Sequence, residues 1–142
     1  LGEKGLEFGT VTKRKRRCGW FDSVLLKQSI MLNGITDIVL TKLDVLDELK
    51  EINVCVGYDI EGKKYDFLPT EEFLYDKIKP IYKKLNGWQT STAGVSDLKD
   101  LPENALIYIK TLEELMEANI SIVSTGPDRK ETIDINGILI DI

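Results

Sequence analysis

The 142-residue sequence predicts an α/β domain built on a central mixed sheet flanked by helices. Three observations point there. Short apolar runs rich in β-branched residues stand at 35–40, 52–58 and 120–123, and each reads as a strand. Stretches with helical apolar spacing lie between them. The runs at 35–40 and 120–123 both empty into polar residues at their carboxyl ends, the edge of an α/β sheet where ligands bind.

The chain opens at Leu1 without a methionine and runs through Gly2, Gly5 and Gly9, as if entered part-way along a longer polypeptide. Residues 1–8 read as the tail of a preceding element. Gly9-Thr10-Val11-Thr12 leads into the basic run Lys13-Arg14-Lys15-Arg16-Arg17 and then Cys18-Gly19-Trp20-Phe21-Asp22. Ser23–Asn33 carries apolar residues at helical spacing, Val24, Leu25, Ile30 and Met31, and Asn33-Gly34 supplies a stop.

After the strand at 35–40 and its acidic loop, residues 52–58 read as a second strand, alternating at Val54, Val56 and Tyr58. Residues 59–64 form a turn, and residues 65–68 return beside the strand. The interval from Pro69 to Pro102 is mixed in period. It reads as a partly helical excursion, with 80–85 extended and Gly87-Trp88 as its anchor. Asp100-Leu101-Pro102-Glu103 has the residues of a helix start, with Asp100 as cap. Ala105, Ile109, Leu112 and Met116 then share one face and belong to the core. Residues 120–123 make a short strand, and 132–135 and 138–142 are two further extended pieces. There is no internal repeat.

Composition removes whole classes of function. The chain has no histidine, which eliminates the commonest general base and the commonest zinc ligand. Two cysteines without CxxC spacing argue against a disulfide framework and for a reduced, cytoplasmic setting. No apolar run reaches the length of a membrane span. Net charge is −5; without the five consecutive basic residues, 14 basic side chains face 24 acidic ones. General nucleic-acid affinity is therefore disfavoured. No GxxxxGK[ST] phosphate cradle and no GxGxxG after a strand occur.

Three polar loops remain as candidates for chemistry. In the first, Thr41-Lys42-Leu43-Asp44, a fixed Asp44 carboxylate can accept two hydrogen bonds from the N1–H and N2–H2 edge of guanine, while the stem of Lys42 lies along a ring face. Adenine offers an acceptor there and leaves the carboxylate unpaired. Buried charge-assisted bonds are worth roughly 1.5–3 kcal/mol each, enough to reject a mismatched ligand by about four orders of magnitude. The competing reading is that Asp44 caps a short helix through Leu49. In the second loop, Ser124-Thr125-Gly126 can present hydroxyls and a backbone amide to a purine oxygen, or it is a plain turn. In the third, residues 10–17, Thr10 and Thr12 supply hydroxyls and the alternating Arg14 and Arg16 supply forks suited to carboxylate and phosphate. A solvated basic loop is the alternative.

Together these loops resemble the adenylosuccinate synthetase family, in its C-terminal portion. The resemblance rests on Glu7-Phe8-Gly9-Thr10, residues 14–22, residues 40–47 (Leu-Thr-Lys-Leu-Asp-Val-Leu-Asp), Val54-Cys55-Val56, Gly87-Trp88 and Ser124-Thr125-Gly126-Pro127-Asp128-Arg129. It spans almost the whole chain. It implies that residues 1–142 are the C-terminal part of a larger P-loop-like domain whose N-terminal catalytic half lies outside this chain.

The implied activity is a GTP-dependent ligase of purine synthesis. GTP phosphorylates the 6-oxygen of IMP and the amine of L-aspartate displaces the phosphate, giving adenylosuccinate and GDP with Mg2+. By motif, Lys42, Leu43 and Asp44 with Ser124, Thr125 and Gly126 would hold guanine, and Arg16 would face GTP. Arg14 would face IMP and aspartate, and Thr10 and Thr12 would belong to the aspartate loop. The resemblance implies no catalytic residue and no metal ligand in this segment, Mg2+ bound by the N-terminal part, a homodimer of the full-length protein, and no nucleic-acid or membrane partner. The segment alone is expected to be catalytically silent.

Two departures stand in the aspartate loop. Val11 replaces a hydroxyl, and Lys13 replaces a glycine where positive φ would come free. Two rival readings differ in kind from the ligase: a stand-alone non-enzymatic guanine-nucleotide module, and an anion- or RNA-binding protein using residues 13–17.

Overall fold

The computed structural model describes residues 2–137. It is mixed α/β, with the strands divided between two sheets rather than gathered into one. The first sheet holds β1 (Phe21–Asp22), β3 (Glu51–Ile60), β4 (Lys63–Tyr65) and β5 (Lys79–Asn86). In it β1 runs parallel to β3, and β4 and β5 run antiparallel to it. The second holds β2 (Asp37–Leu40), β6 (Asn119–Ser124) and β7 (Thr132–Asp134), with β2 parallel to β6 and β7 antiparallel. Helices α1 (Ser23–Asn33) and α2 (Glu103–Met116) pack on each other.

Local chemistry sets the ends of α1 where the sequence places them. The Asp22 carboxylate accepts the Leu25 N–H at 3.0 Å, and Gly34 stops the helix at φ 63°. The inward face is offset from the expected one. Val24 and Ile30 are buried, whereas Leu25 and Met31 are exposed, Met31 at 67%. Leu26 packs on the core instead.

The start of α2 departs further. Pro102 occupies the cap position with no side-chain bond, and Asp100 ends a 3-10 turn, Leu98–Asp100, capped by Asp97. Asp100 is therefore no helix cap, because the extended Leu101 and Pro102 separate it from the helix. The apolar face is as expected: Ala105, Ile109, Leu112 and Met116 are buried with Leu43, Ile52, Val54, Ile120 and Val123 in one cluster.

The strand expected at 35–40 begins at Asp37 and is only half-buried, with Val39 56% exposed. The return strand falls at Lys63–Tyr65 rather than 65–68, since Glu61 and Gly62 both turn the chain at positive φ. The extended piece expected at 132–135 is β7, and the one expected at 138–142 lies outside the described residues. Gly87 anchors as anticipated. An added Cβ there would sit 1.7 Å from the Leu49 carbonyl oxygen, so only a bare backbone fits. Among the described residues no helix is long and apolar enough to cross a membrane.

Candidate functional site

The parallel pairing of β2 with β6 places Leu40 opposite Val123. β2 ends at Leu40 and β6 one residue further on, at Ser124, so the segments at their ends, residues 41–44 and 124–129, leave one sheet edge side by side. Chain direction produces this: only parallel neighbours deliver their carboxyl-end loops to a shared edge.

At the first loop Lys42 adopts φ 61°, and Leu43–Leu46 winds into a 3-10 turn. Leu43 is buried in the core and pins the turn between Lys42 and Asp44. The Asp44 side chain does not cap this turn; Lys42 holds the cap position and makes no side-chain cap bond. The Asp44 carboxyl is pushed above the ordinary carboxylate range, first by burial and further by the negative charges of Asp47 and Glu131, against the pull of its own backbone amide and Lys4. It forms no ion pair among the described residues. A half-buried carboxylate of this kind is a strong acceptor for a paired set of donors.

The second loop spends its hydroxyls on itself. Ser124 Oγ donates to the Gly126 carbonyl at 2.8 Å. Thr125 is fully buried, with Oγ1 2.8 Å from the Val95 carbonyl and 3.1 Å from that of Glu131, and its amide donates to Glu131 at 2.9 Å. Each of these hydroxyls serves a backbone carbonyl, so neither is turned outward as the sequence reading of this loop expects. The Glu131 carboxylate packs against the bare backbone of Gly126, where its Oε2 would lie 2.3 Å from an added Cβ.

Glu131 is the residue that reading the sequence missed. It closes a capping box with Asp128, accepting the Asp128 N–H at 2.8 Å, and its charge reaches Asp44. The Asp128-x-x-Glu131 spacing was the available signal.

The basic segment folds as a small hairpin. Phe8 bridges Lys15 antiparallel, Gly9 N–H donates to the Arg14 carbonyl at 2.8 Å, and Lys13 N–H donates to the Gly9 carbonyl at 2.8 Å. Thr10, Val11, Thr12, Lys13 and Arg14 stand exposed on its tip. Lys13 takes φ 55°, so the left-handed position is kept without a glycine. Thr12 Oγ1 accepts the Arg14 N–H at 3.3 Å.

Arg16 and Lys42 meet across a cavity of about 310 Å³, with Glu7, Trp20, Thr41, Leu43, Asn53 and Tyr108 in its lining. Asn53 Oδ1 is buried without a hydrogen-bond partner among the described residues. Burial pushes the Tyr108 phenol up to about 12, so it stays a neutral group on that wall. The Lys42 ammonium donates to the Gly5 carbonyl at 2.6 Å and to Glu7, and Arg16 Nη1 lies 3.4 Å from Glu7. The Lys42 hydrogen bond, chiefly, holds the Glu7 carboxyl below its usual range. Of the expected site residues, Arg16, Lys42 and Leu43 share this cavity. Asp44 and residues 124–126 lie along the neighbouring strand edge, and Thr10, Thr12 and Arg14 occupy the separate hairpin tip. Among the described residues no three acidic, cysteine or histidine side chains gather to hold a metal ion.

The family model described as adenylosuccinate synthetase matches residues 1–133. The chain is 52% identical over 134 residues to the adenylosuccinate synthetase of Ehrlichia canis (strain Jake), covering 94% of the chain and 31% of that relative. It is 55% identical over 133 residues to the adenylosuccinate synthetase of Prochlorococcus marinus (strain MIT 9301), covering 94% and 30%. The solved structure of fully ligated adenylosuccinate synthetase from Plasmodium falciparum superposes with a TM-score of 0.88 at 40% identity, over 93% of the chain and 32% of that structure. The chain thus spans about a third of the length of the relatives it matches.

Proposed function

The chain belongs to the adenylosuccinate synthetase family, and from that membership we propose that it supplies the C-terminal, guanine-reading part of a GTP-dependent ligase that joins IMP and L-aspartate. The observation that carries this is the pairing of Leu40 with Val123. Two loops far apart in sequence leave one edge, and the first of them carries the acceptor Asp44 next to the core-anchored Leu43.

In this reading Asp44 accepts the N1–H and N2–H2 donors of guanine, and the Lys42 stem forms a shelf beside the ring. The turn at Ser124, Thr125 and Gly126 contributes backbone rather than hydroxyls, since the hydroxyls are engaged. Arg16, whose Nη1 donates to Glu7 at 3.4 Å, faces GTP. Arg14, Thr10 and Thr12 on the exposed hairpin tip receive IMP and aspartate. When bound, GTP activates the 6-oxygen of IMP by phosphorylation, and the aspartate amine then displaces phosphate to give adenylosuccinate and GDP. The residues of this chain bind and orient.

In this proposal Mg2+, the phosphate-binding loop and the catalytic groups belong to the rest of the polypeptide. The full-length enzyme is a cytoplasmic homodimer in this proposal, and the 142-residue chain by itself is silent.

Calorimetry tests the reading. GTP, ATP and RNA are titrated into the full-length protein that carries this segment, with and without Asp44→Ala. GTP binding in preference to ATP, with the preference lost in the variant, is the expected result. Equal affinities in the parent protein overturn it. Tight GTP and GDP binding by the 142-residue chain favours the stand-alone nucleotide module instead. RNA affinity that falls steeply with salt favours the basic-patch reading. Turnover of IMP, aspartate and GTP by the 142-residue chain contradicts the expected silence.

A further inference from the structure

One carboxylate ties two of the three candidate loops together. Glu7 Oε1 accepts from Lys42 Nζ at the end of β2, and Oε2 faces Arg16 Nη1 at 3.4 Å on the basic hairpin. The backbone puts Glu7 in place to do this, because the Arg16 N–H donates to the Glu7 carbonyl at 2.8 Å beside the Phe8–Lys15 bridge. Glu7 is also the shielded member of the trio, with its side chain 24% exposed against 50% for Lys42 and 59% for Arg16.

The consequence for Lys42 is geometric. Its ammonium spends two of three donors, on Glu7 and on the Gly5 carbonyl at 2.6 Å. A free lysine stem samples many rotamers. This one is fixed at both ends, by a backbone at φ 61° and by the tethered ammonium, so its four carbons form a neutralised, pre-set surface. Arg16 gives one long contact to Glu7, from Nη1 at 3.4 Å.

We infer that Glu7 is a positioning residue for the nucleotide: it sets the Lys42 stem and the Arg16 fork across the cavity mouth before the ligand arrives. The inference rests on the guanine-nucleotide reading of Lys42 and Arg16 given above. Preorganising two groups in this way lowers the entropy that binding would otherwise cost.

Steady-state kinetics of the full-length ligase carrying this segment provides the test. Glu7→Gln is expected to raise KM for GTP about fivefold, with kcat and KM for IMP held within about twofold. Lys42→Met keeps the stem and drops the ammonium, and it raises KM for GTP as well. Because Glu7 acts through Lys42, the double variant falls short of the product of the two single effects. An unchanged KM for GTP in Glu7→Gln overturns the inference, and so does a double variant equal to the product. A fall in kcat and melting temperature with KM for GTP unchanged marks a structural carboxylate and overturns it too. Asp44→Asn separates the two layers. If that variant retains the preference for GTP over ATP, the guanine reading itself fails. If it loses the preference while Glu7→Gln leaves KM unmoved, only the role of Glu7 fails.

Discussion

The Asp47 carboxylate accepts the indole N–H of Trp88 at 2.8 Å, joining two residues 41 positions apart in the chain. The same carboxylate accepts the Thr92 amide at 2.9 Å and the Thr92 hydroxyl at 2.7 Å. Asp47 closes the turn that begins with Leu43 and Asp44, so this buried knot fixes the base of the proposed guanine reader. Asp47→Ala leaves the indole and amide donors buried without partners and is expected to cost about 2–4 kcal/mol. Urea denaturation checks it; a loss below about 0.5 kcal/mol contradicts the role given to the knot.

The ionised Asp44 carboxylate works against folding. Burial raises its folded pKa above the ordinary carboxylate value, and a raised acid pKa means that the charged form is the disfavoured one in the folded state. Below the unfolded pKa both states are protonated and no penalty exists. As pH rises through the folded value the penalty appears in full. Asp44→Asn therefore melts higher than the parent at pH 7, and the gap closes as pH falls from the raised folded value to below the ordinary carboxylate pKa of about 4. Thermal melts across that range check the sign, and a gap that widens toward acid refutes it.

Lys13 carries positive φ without the freedom of glycine. Left-handed backbone costs an L-residue roughly 1–2 kcal/mol, and glycine regains part of that while losing some to unfolded-state entropy. Lys13→Gly is expected to change stability by less than about 1 kcal/mol, toward greater stability. Lys13→Val, β-branched at the same φ, is expected to cost about 1 kcal/mol or more. Paired denaturation curves decide the order; the reverse order removes the argument.

Gly87 meets the Leu49 carbonyl oxygen where a Cβ would be, at 1.7 Å, and the obstacle is backbone rather than a movable side chain. Its own N–H donates to the Lys50 carbonyl at 2.9 Å. Gly87→Ala must push β3 and β5 apart next to Trp88 and is expected to cost about 3 kcal/mol or more. Near-parental stability by urea denaturation would show that this junction gives way.

The sequence by itself determined what depends on neighbours along the chain. The helix between Asp22 and Gly34, the apolar face from Ala105 to Met116 and the short strand around 120–123 all follow from caps, periods and backbone freedom. So did the family, because its motifs are local strings. Tertiary structure decided the rest. Which face of α1 is inward was set by α2 and β3, so Leu26 packs where Leu25 and Met31 do not. Asp100 lost its capping role to the path through Pro102. Thr125 turned its hydroxyl to the carbonyl of Val95, and Glu7 and Asp47 acquired partners no spacing rule could assign. The physical reason is range: a cap or a period is written within a few residues, whereas a buried acceptor takes whichever donor the fold brings to it.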